Sequence, residues 1–186
     1  MVNRFERILL FGAGLWYLGE GLLGPLFAVF TERVGGDIFD ITWAWATYLI
    51  ISGLLYVIVG RLTDKMHNAA KLMVAGYVLN AIFTFGYLFV TAPHHLFIVQ
   101  AGLGVAAALA APTWDALYGE HAGHKNVGYA WGLADGQSQI IYGVAVIIGG
   151  FIVSAYSFTT LFIIMGIIQL LSALAQMRIL ALSRKT

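Results

Sequence analysis

Three carboxylates lie inside apolar stretches of this sequence, and they are the residues best placed to do chemistry. Glu20 falls near the middle of residues 8–30, Asp135 within about two turns of the middle of residues 127–153, and Asp115 towards the end of residues 95–119. An ionisable group in hydrocarbon is costly and marks a functional position by default. None of these stretches contains Lys or Arg, so Glu20 and Asp135 suit proton exchange, and proton coupling is the secondary expectation for them. Trp16 stands one turn before Glu20 and Gly24 one turn after it, with Pro25 beyond, while Gly12, Gly14, Gly19 and Gly21 permit close helix contact or bending. The plainer alternative is a protonated glutamate bonded to a neighbouring helix for packing alone. A second stripe, Trp131, Asp135, Gln139 and Tyr142, has spacings of four, four and three, which puts its members on one helix face. That face suits the wall of an aqueous cavity; the alternative is an interhelical seam worth about 0.6 kcal/mol per hydrogen bond. Trp16, Tyr17, Glu20, Trp131, Asp135, Gln139 and Tyr142 are therefore the expected substrate contacts. Asp115, by its depth, belongs to a gate at the end of its span or reaches out to the interface.

The elements that must position these groups are membrane helices. The chain of 186 residues is 60% hydrophobic and 10% charged, with a mean hydropathy of +0.85, more apolar surface than a soluble fold of this size can hide. Stretches of roughly 20 apolar residues are what a helix needs to cross a bilayer. Six are expected, at about 8–30, 40–60, 71–91, 95–119, 127–153 and 158–181. Short connections make them an antiparallel bundle, so the fold class is an all-α membrane protein with one domain over residues 1–186. Of ten Lys and Arg, Arg4, Arg7, Arg61, Lys65, Lys71, Lys125, Arg178, Arg184 and Lys185 share one side and only Arg33 the other. That bias places both termini in the cytoplasm. The first span is too long for a cleaved signal peptide and is expected to be retained.

Other chemistries find little support. There is no cysteine, which excludes disulfides and thiolate chemistry. A net charge of +1 with no basic patch speaks against nucleic acid. His94-His95 and His121 with His124 sit at membrane edges without a third ligand nearby, so no metal is expected. No nucleophile triad or phosphate-cradling loop is visible; neither enzyme activity nor a cofactor is expected. Asn80 and Gln169 read as packing residues, and Trp43, Trp45, Tyr48 and Tyr156, near span ends, as an interfacial aromatic belt.

Between the second and third spans runs Gly60-Arg61-Leu62-Thr63-Asp64-Lys65, which resembles the loop signature G-x-L-x-D-[RK] of the major facilitator superfamily of transporters. The fourth span, with Gly102-Leu103-Gly104, then Pro112 and Glu120, resembles that family's fourth helix. Gly128, Ala130 and Gly132 are similar to its entry into the fifth, and Gly149-Gly150 with Phe162 to the junction of the fifth and sixth. The signature degrades after Lys65, where Lys71 is a late substitute for the usual basic pair. The arginine that many proton-coupled members carry in the fourth helix would fall near Ile98, and the glycine-proline pair of antiporters at Ala145-Val146. Neither is present, which argues against drug/proton antiport.

The resemblance covers one six-helix half, like the N-terminal one, of an architecture with twelve spans in two halves related by an axis along the membrane normal. It implies a secondary transporter of a small molecule, lodged in lipid, whose first, second, fourth and fifth helices surround a central cavity with alternating access. Two copies inserted by the same charge rule are parallel, so a homodimer is expected to rebuild the full architecture. A fragment of a longer transporter, a half-transporter with a different six-span partner and a non-transporting scaffold are the alternatives. The resemblance also implies gating by Gly60, Asp64, Lys65 and Asp115, Asp64 docking against the start of the partner's fifth helix near residues 126–128. The cytoplasmic membrane of a bacterium or archaeon is the expected location.

Overall fold

A computed structural model describes residues 3–66, 69–122 and 127–182, nearly all of them helical. The helices are α1 (Arg4–Leu23), α2 (Leu26–Arg33), α3 (Ile38–Thr63), α4 (Ala69–Gly86), α5 (Pro93–His121), α6 (Val127–Ala155) and α7 (Phe158–Leu182). A 3-10 turn, Tyr87–Phe89, continues α4. Five of these are long and apolar enough to cross a bilayer alone, and α1 with α2 makes a sixth span bent by 49°. The first expected span is thus real but broken. Gly24, with φ of 24°, ends α1, and Pro25 opens α2. Pro25 stands just before the first residue of α2, where its missing N–H removes no bond from the helix.

Local signals explain the other boundaries. Asn3 caps α1, its side chain accepting from the Glu6 N–H at 2.8 Å. Asp37 caps α3 by accepting from the N–H groups of Phe39 and Asp40, while the Asp40 carboxylate accepts from the Asp37 N–H at 3.0 Å. That reciprocal box satisfies donors that a helix start leaves free. Pro93 sits in the first turn of α5, and the Ser157 hydroxyl accepts from the Thr160 N–H to start α7.

The helices form two groups of three. In one, α1 packs on α6 and α7; in the other, α5 packs on α3 and α4; α4 and α7 join the two. Glycines set the closest crossings. A Cβ at Gly76 of α4 would lie 2.6 Å from the Ala110 nitrogen of α5, and one at Gly104 of α5 would lie 2.9 Å from the Tyr48 carbonyl oxygen of α3. At Gly149 of α6 a Cβ would lie 2.0 Å from the Leu22 carbonyl oxygen. Without a hydrophobic drive between helices in lipid, such close approach is what allows dispersion and polar contacts to hold the bundle.

Burial is lopsided. Of the most apolar stretch of α5, 61% is buried, and of α7 50%, but only 11% in α3 and in α6. These two helices flank the open side of the bundle, each anchored mainly to one neighbour.

Gly149→Ala should lower thermal stability by about 1–3 kcal/mol, the usual cost of overpacking, because its Cβ meets backbone that cannot turn away. Gly53→Ala on α3, where a Cβ has nothing within 4 Å, should leave the unfolding temperature unchanged or slightly raised. Unfolding of both variants in detergent checks the contrast.

Candidate functional site

Helix α1 divides its circumference among three tasks. Gly12 and Gly19 admit Gln176 and Gln169 of α7, whose atoms would lie 2.4 and 2.5 Å from a Cβ at those positions. The admitted groups bond to the backbone of α1: Gln169 Nε2 donates to the Trp16 carbonyl at 3.0 Å, Ser172 Oγ to Gly12 at 2.7 Å and Gln176 Nε2 to Leu9 at 3.1 Å. Gly14 and Gly21 face α6 instead, against Gln137 and the Tyr142–Ala145 turn, and Gln137 Nε2 donates to the Leu10 carbonyl at 2.8 Å. The remaining face carries Leu10, Ala13, Trp16, Tyr17 and Glu20 into a cavity, as steps of three and four require.

That cavity, about 180 Å³, lies between the two helix groups at the end that holds both termini. Tyr48 and Tyr56 enter it from α3, Tyr77 from α4, Trp114 and Asp115 from α5, and Trp131, Ala134, Asp135, Gln137 and Ser138 from α6. Trp114, Tyr118 and Trp131 form a connected aromatic cluster, with ring centroids 4.7–6.5 Å apart, and Trp16 meets Tyr77 edge-on at 4.8 Å. Trp114 Nε1 donates to the Leu9 carbonyl at 3.2 Å, linking α5 to α1. A second, smaller cavity of about 70 Å³ occupies the opposite half of the bundle, bordered by Gly24, Phe27, Trp45, Tyr87, Gln100, Tyr142 and Gln169 among others. Glu20 and Tyr48 border both cavities. Among the described residues no hydrogen bond or ion pair engages the Glu20 carboxyl.

Trp16, Tyr17, Glu20, Trp131 and Asp135, expected in a substrate site, share the first cavity, and Tyr142 borders the second. Asp115 also enters the first cavity, facing the same space as Asp135. Gln139 does not join its stripe; it is exposed and absent from both walls, and Gln137 and Ser138 take its place. Tyr48 borders both cavities rather than a belt; Trp45 borders the second cavity and is 45% exposed, while Trp43 and Tyr156 are 62% and 76% exposed, as a belt requires. Gln169 packs as expected but also borders the second cavity; Asn80 is buried with neither amide atom bonded among the described residues. Tyr56 and Trp114 went unread, although Tyr56 follows Tyr48 by two turns and Trp114 precedes Asp115.

The gating loop is only partly defined. Gly60, Asp64 and Lys65 close the end of α3, where the Asp64 N–H donates to the Gly60 carbonyl at 3.1 Å, and both charged side chains are exposed. His124, Lys125, Asn126, Arg184 and Lys185 lie outside the described residues.

Six apolar spans around a polar cavity define an integral membrane protein. Its family is given by its sequence: the profile of the Major Facilitator Superfamily matches residues 9–186. The chain belongs to that superfamily of secondary transporters, whose members carry small molecules and are not enzymes. Its size fits a half-size form. No match emerged among curated proteins.

The first cavity, polar at membrane depth, should be wet. In this cysteine-free protein, Ser138→Cys should react with a water-soluble, membrane-impermeant thiol reagent added from the side of the termini. Ile82→Cys on the outer face of α4, where the native side chain is 59% exposed, should resist it because lipid covers that face. Comparable labelling rates would mean that the cavity is dry or closed.

Proposed function

We propose that the chain transports a small molecule as a parallel homodimer, with the first cavity opening towards the twofold axis. The observation that carries this reading is the open side of the bundle. Asp135 and Gln139 of α6 are exposed there, about 12 and 18 Å along the helix from its start, a depth at which hydrocarbon cannot solvate them. Apolar side chains such as Leu54 of α3 and Ile140 of α6 are exposed beside them. A second six-span unit would cover both kinds of surface.

The outward face of α6 supports close packing by such a unit. Gly128, Gly132, Gly136, Gly143 and Gly150 follow one another at spacings of four, four, seven and seven, and a Cβ at any of them would have nothing within 4 Å. No contact among the described residues explains these glycines, whereas small residues at this spacing let membrane helices approach closely. A second copy is the partner favoured here, because closed twofold dimers are the commonest oligomers and the cationic bias gives every copy one orientation, termini in the cytoplasm. At about 180 Å³ the cavity is smaller than the roughly 300–1,000 Å³ of a typical ligand pocket, as half a site would be. The cytoplasmic membrane of a prokaryote suits this arrangement, and Gly60, Asp64, Lys65 and Asp115 serve as its cytoplasmic gate, with Asp64 docking on the partner.

Proton coupling is the finer part of the reading. Glu20 borders both cavities, so its carboxyl is reachable from either side of the bundle when one cavity or the other opens, and Asp135 extends the path towards the termini.

Gly132→Leu should leave the monomer folded and raise the dissociation constant of the dimer at least about tenfold, or 1.4 kcal/mol. Mass measurements of the purified chain across a dilution series read this. A wild-type protein that is monomeric and yet transports would overturn the dimer; one that transports only with a different six-span chain would make it a heteromer.

Glu20→Gln should abolish the response of substrate flux to a pH gradient across vesicles, since the amide keeps the shape and cannot exchange a proton. Unchanged pH dependence would remove Glu20 from coupling.

A further inference from the structure

We infer that the first cavity receives an organic cation with an aromatic or apolar body. This rests on the reading of that cavity as the substrate site and names what it takes. Three carboxylates, Glu20, Asp115 and Asp135, enter it, and no Lys, Arg or His lines it. A cleft of one sign with low-dielectric walls concentrates ions of the other sign. Three of the wall's neutral donors are engaged already. Gln137 Nε2 is bonded to the Leu10 carbonyl, Ser138 Oγ to the Asp135 carbonyl and Trp114 Nε1 to the Leu9 carbonyl. The carboxylates are the charged groups of the site, and carboxylates accept hydrogen bonds and attract cations. An anion would meet carboxyl groups and no cationic side chain.

The rest of the wall separates an organic from an inorganic cation. Four tyrosines, Tyr17, Tyr48, Tyr56 and Tyr77, and three tryptophans, Trp16, Trp114 and Trp131, are its largest members. Aromatic faces attract ammonium-type cations, most strongly when water is excluded, and bury apolar bodies. A bare metal ion needs several oxygen ligands drawn into one shell. Among the described residues no three of His, Asp or Glu come together in that way. Carboxylates spread around an aromatic wall instead suit a charge spread over an alkylated or aromatic group. The assignment concerns the charge of the occupant and is separate from which ion drives transport.

Isothermal titration of the purified chain with benzyltrimethylammonium, N,N-dimethylbenzamide and benzenesulfonate tests this with probes of similar size and different charge. The ammonium should bind at least tenfold more tightly than the amide, and the sulfonate should not bind. Asp115→Asn and Asp135→Asn, at open positions of the wall, should each weaken the ammonium about threefold to tenfold without changing the unfolding temperature, and Trp131→Leu should do the same. Equal binding of ammonium and amide, preference for the sulfonate, or carboxamide variants that bind like the wild type would each overturn the assignment. Flux in vesicles is measured separately. Transport of the sulfonate would sink the cation assignment and leave the transporter reading standing. Binding of the ammonium by a protein that moves no solute would support the assignment and sink transport.

Discussion

Everything else in this bundle depends on the access that four glycines give to the backbone of α1. A helix in lipid satisfies its own hydrogen bonds, so its neighbours normally meet side chains. Here Gly12 and Gly19 open one face to the glutamines of α7, and Gly14 and Gly21 open another to α6. The carbonyls of Leu10, Gly12 and Trp16 each accept a bond from a neighbouring side chain, and that of Leu9 accepts two. Each bond is small, about 0.6 kcal/mol on average in a membrane, but each requires a particular register. Two stripes, each of two glycines seven residues apart, fix the rotation of α1 about its axis, and that rotation decides where its third face points. Glu20, between Gly19 and Gly21, is thereby held towards the cavity and cannot turn into the packing seams.

The same economy leaves α3 and α6 thinly attached. Each leans chiefly on one helix, α3 on α5 and α6 on α1, and their outward faces combine exposed aliphatic residues with Asp135 and Gln139. A lipid-facing helix has no use for a carboxylate, and a packed helix has no use for glycines with open space around them. Both features on one face of α6 are accounted for together by a protein neighbour, which would take the glycines as contact and the polar groups as part of an aqueous path.

Much of this was legible in the sequence, and the failures have physical causes. The six spans and the helix faces that bring Trp16, Tyr17, Glu20, Trp131 and Asp135 to one cavity followed from hydropathy and helical spacing, whereas the break at Gly24 and Pro25 divides a span expected to be continuous. Tyr48 was misread as a belt residue because the second span was expected to begin near residue 40. The helix starts at Ile38 and runs for 26 residues, which puts Tyr48 about 15 Å in. Gln139 was chosen over Gln137 because periodicity defines a face but not the neighbour it meets; the contact with Leu10 comes from 127 positions away. For the same reason Gln169 reads alike whether it bonds a carbonyl, borders a cavity or, as here, does both. Pairings between helices are absent from a single span's pattern.

The bend of the first span and the placement of Glu20 are parts of one construction. The Gly24 N–H donates to the Glu20 carbonyl at 3.2 Å, so the turn that carries the carboxylate is the last turn of α1 before the chain swings by 49° into α2. Tyr142 and Val146 of α6 press against that turn at Gly24, where an added Cβ would lie 3.4 Å from the tyrosine hydroxyl and 3.2 Å from the valine. The positive φ of Gly24 makes the position unsuited to other residues. Since Tyr142 also borders the second cavity and Asp135, two turns earlier on the same helix, borders the first, a displacement of α6 along α1 is felt at once by both cavities and by the one carboxylate between them. In a bundle whose α6 is otherwise so lightly held, that turn is where a movement of the open side would reach Glu20.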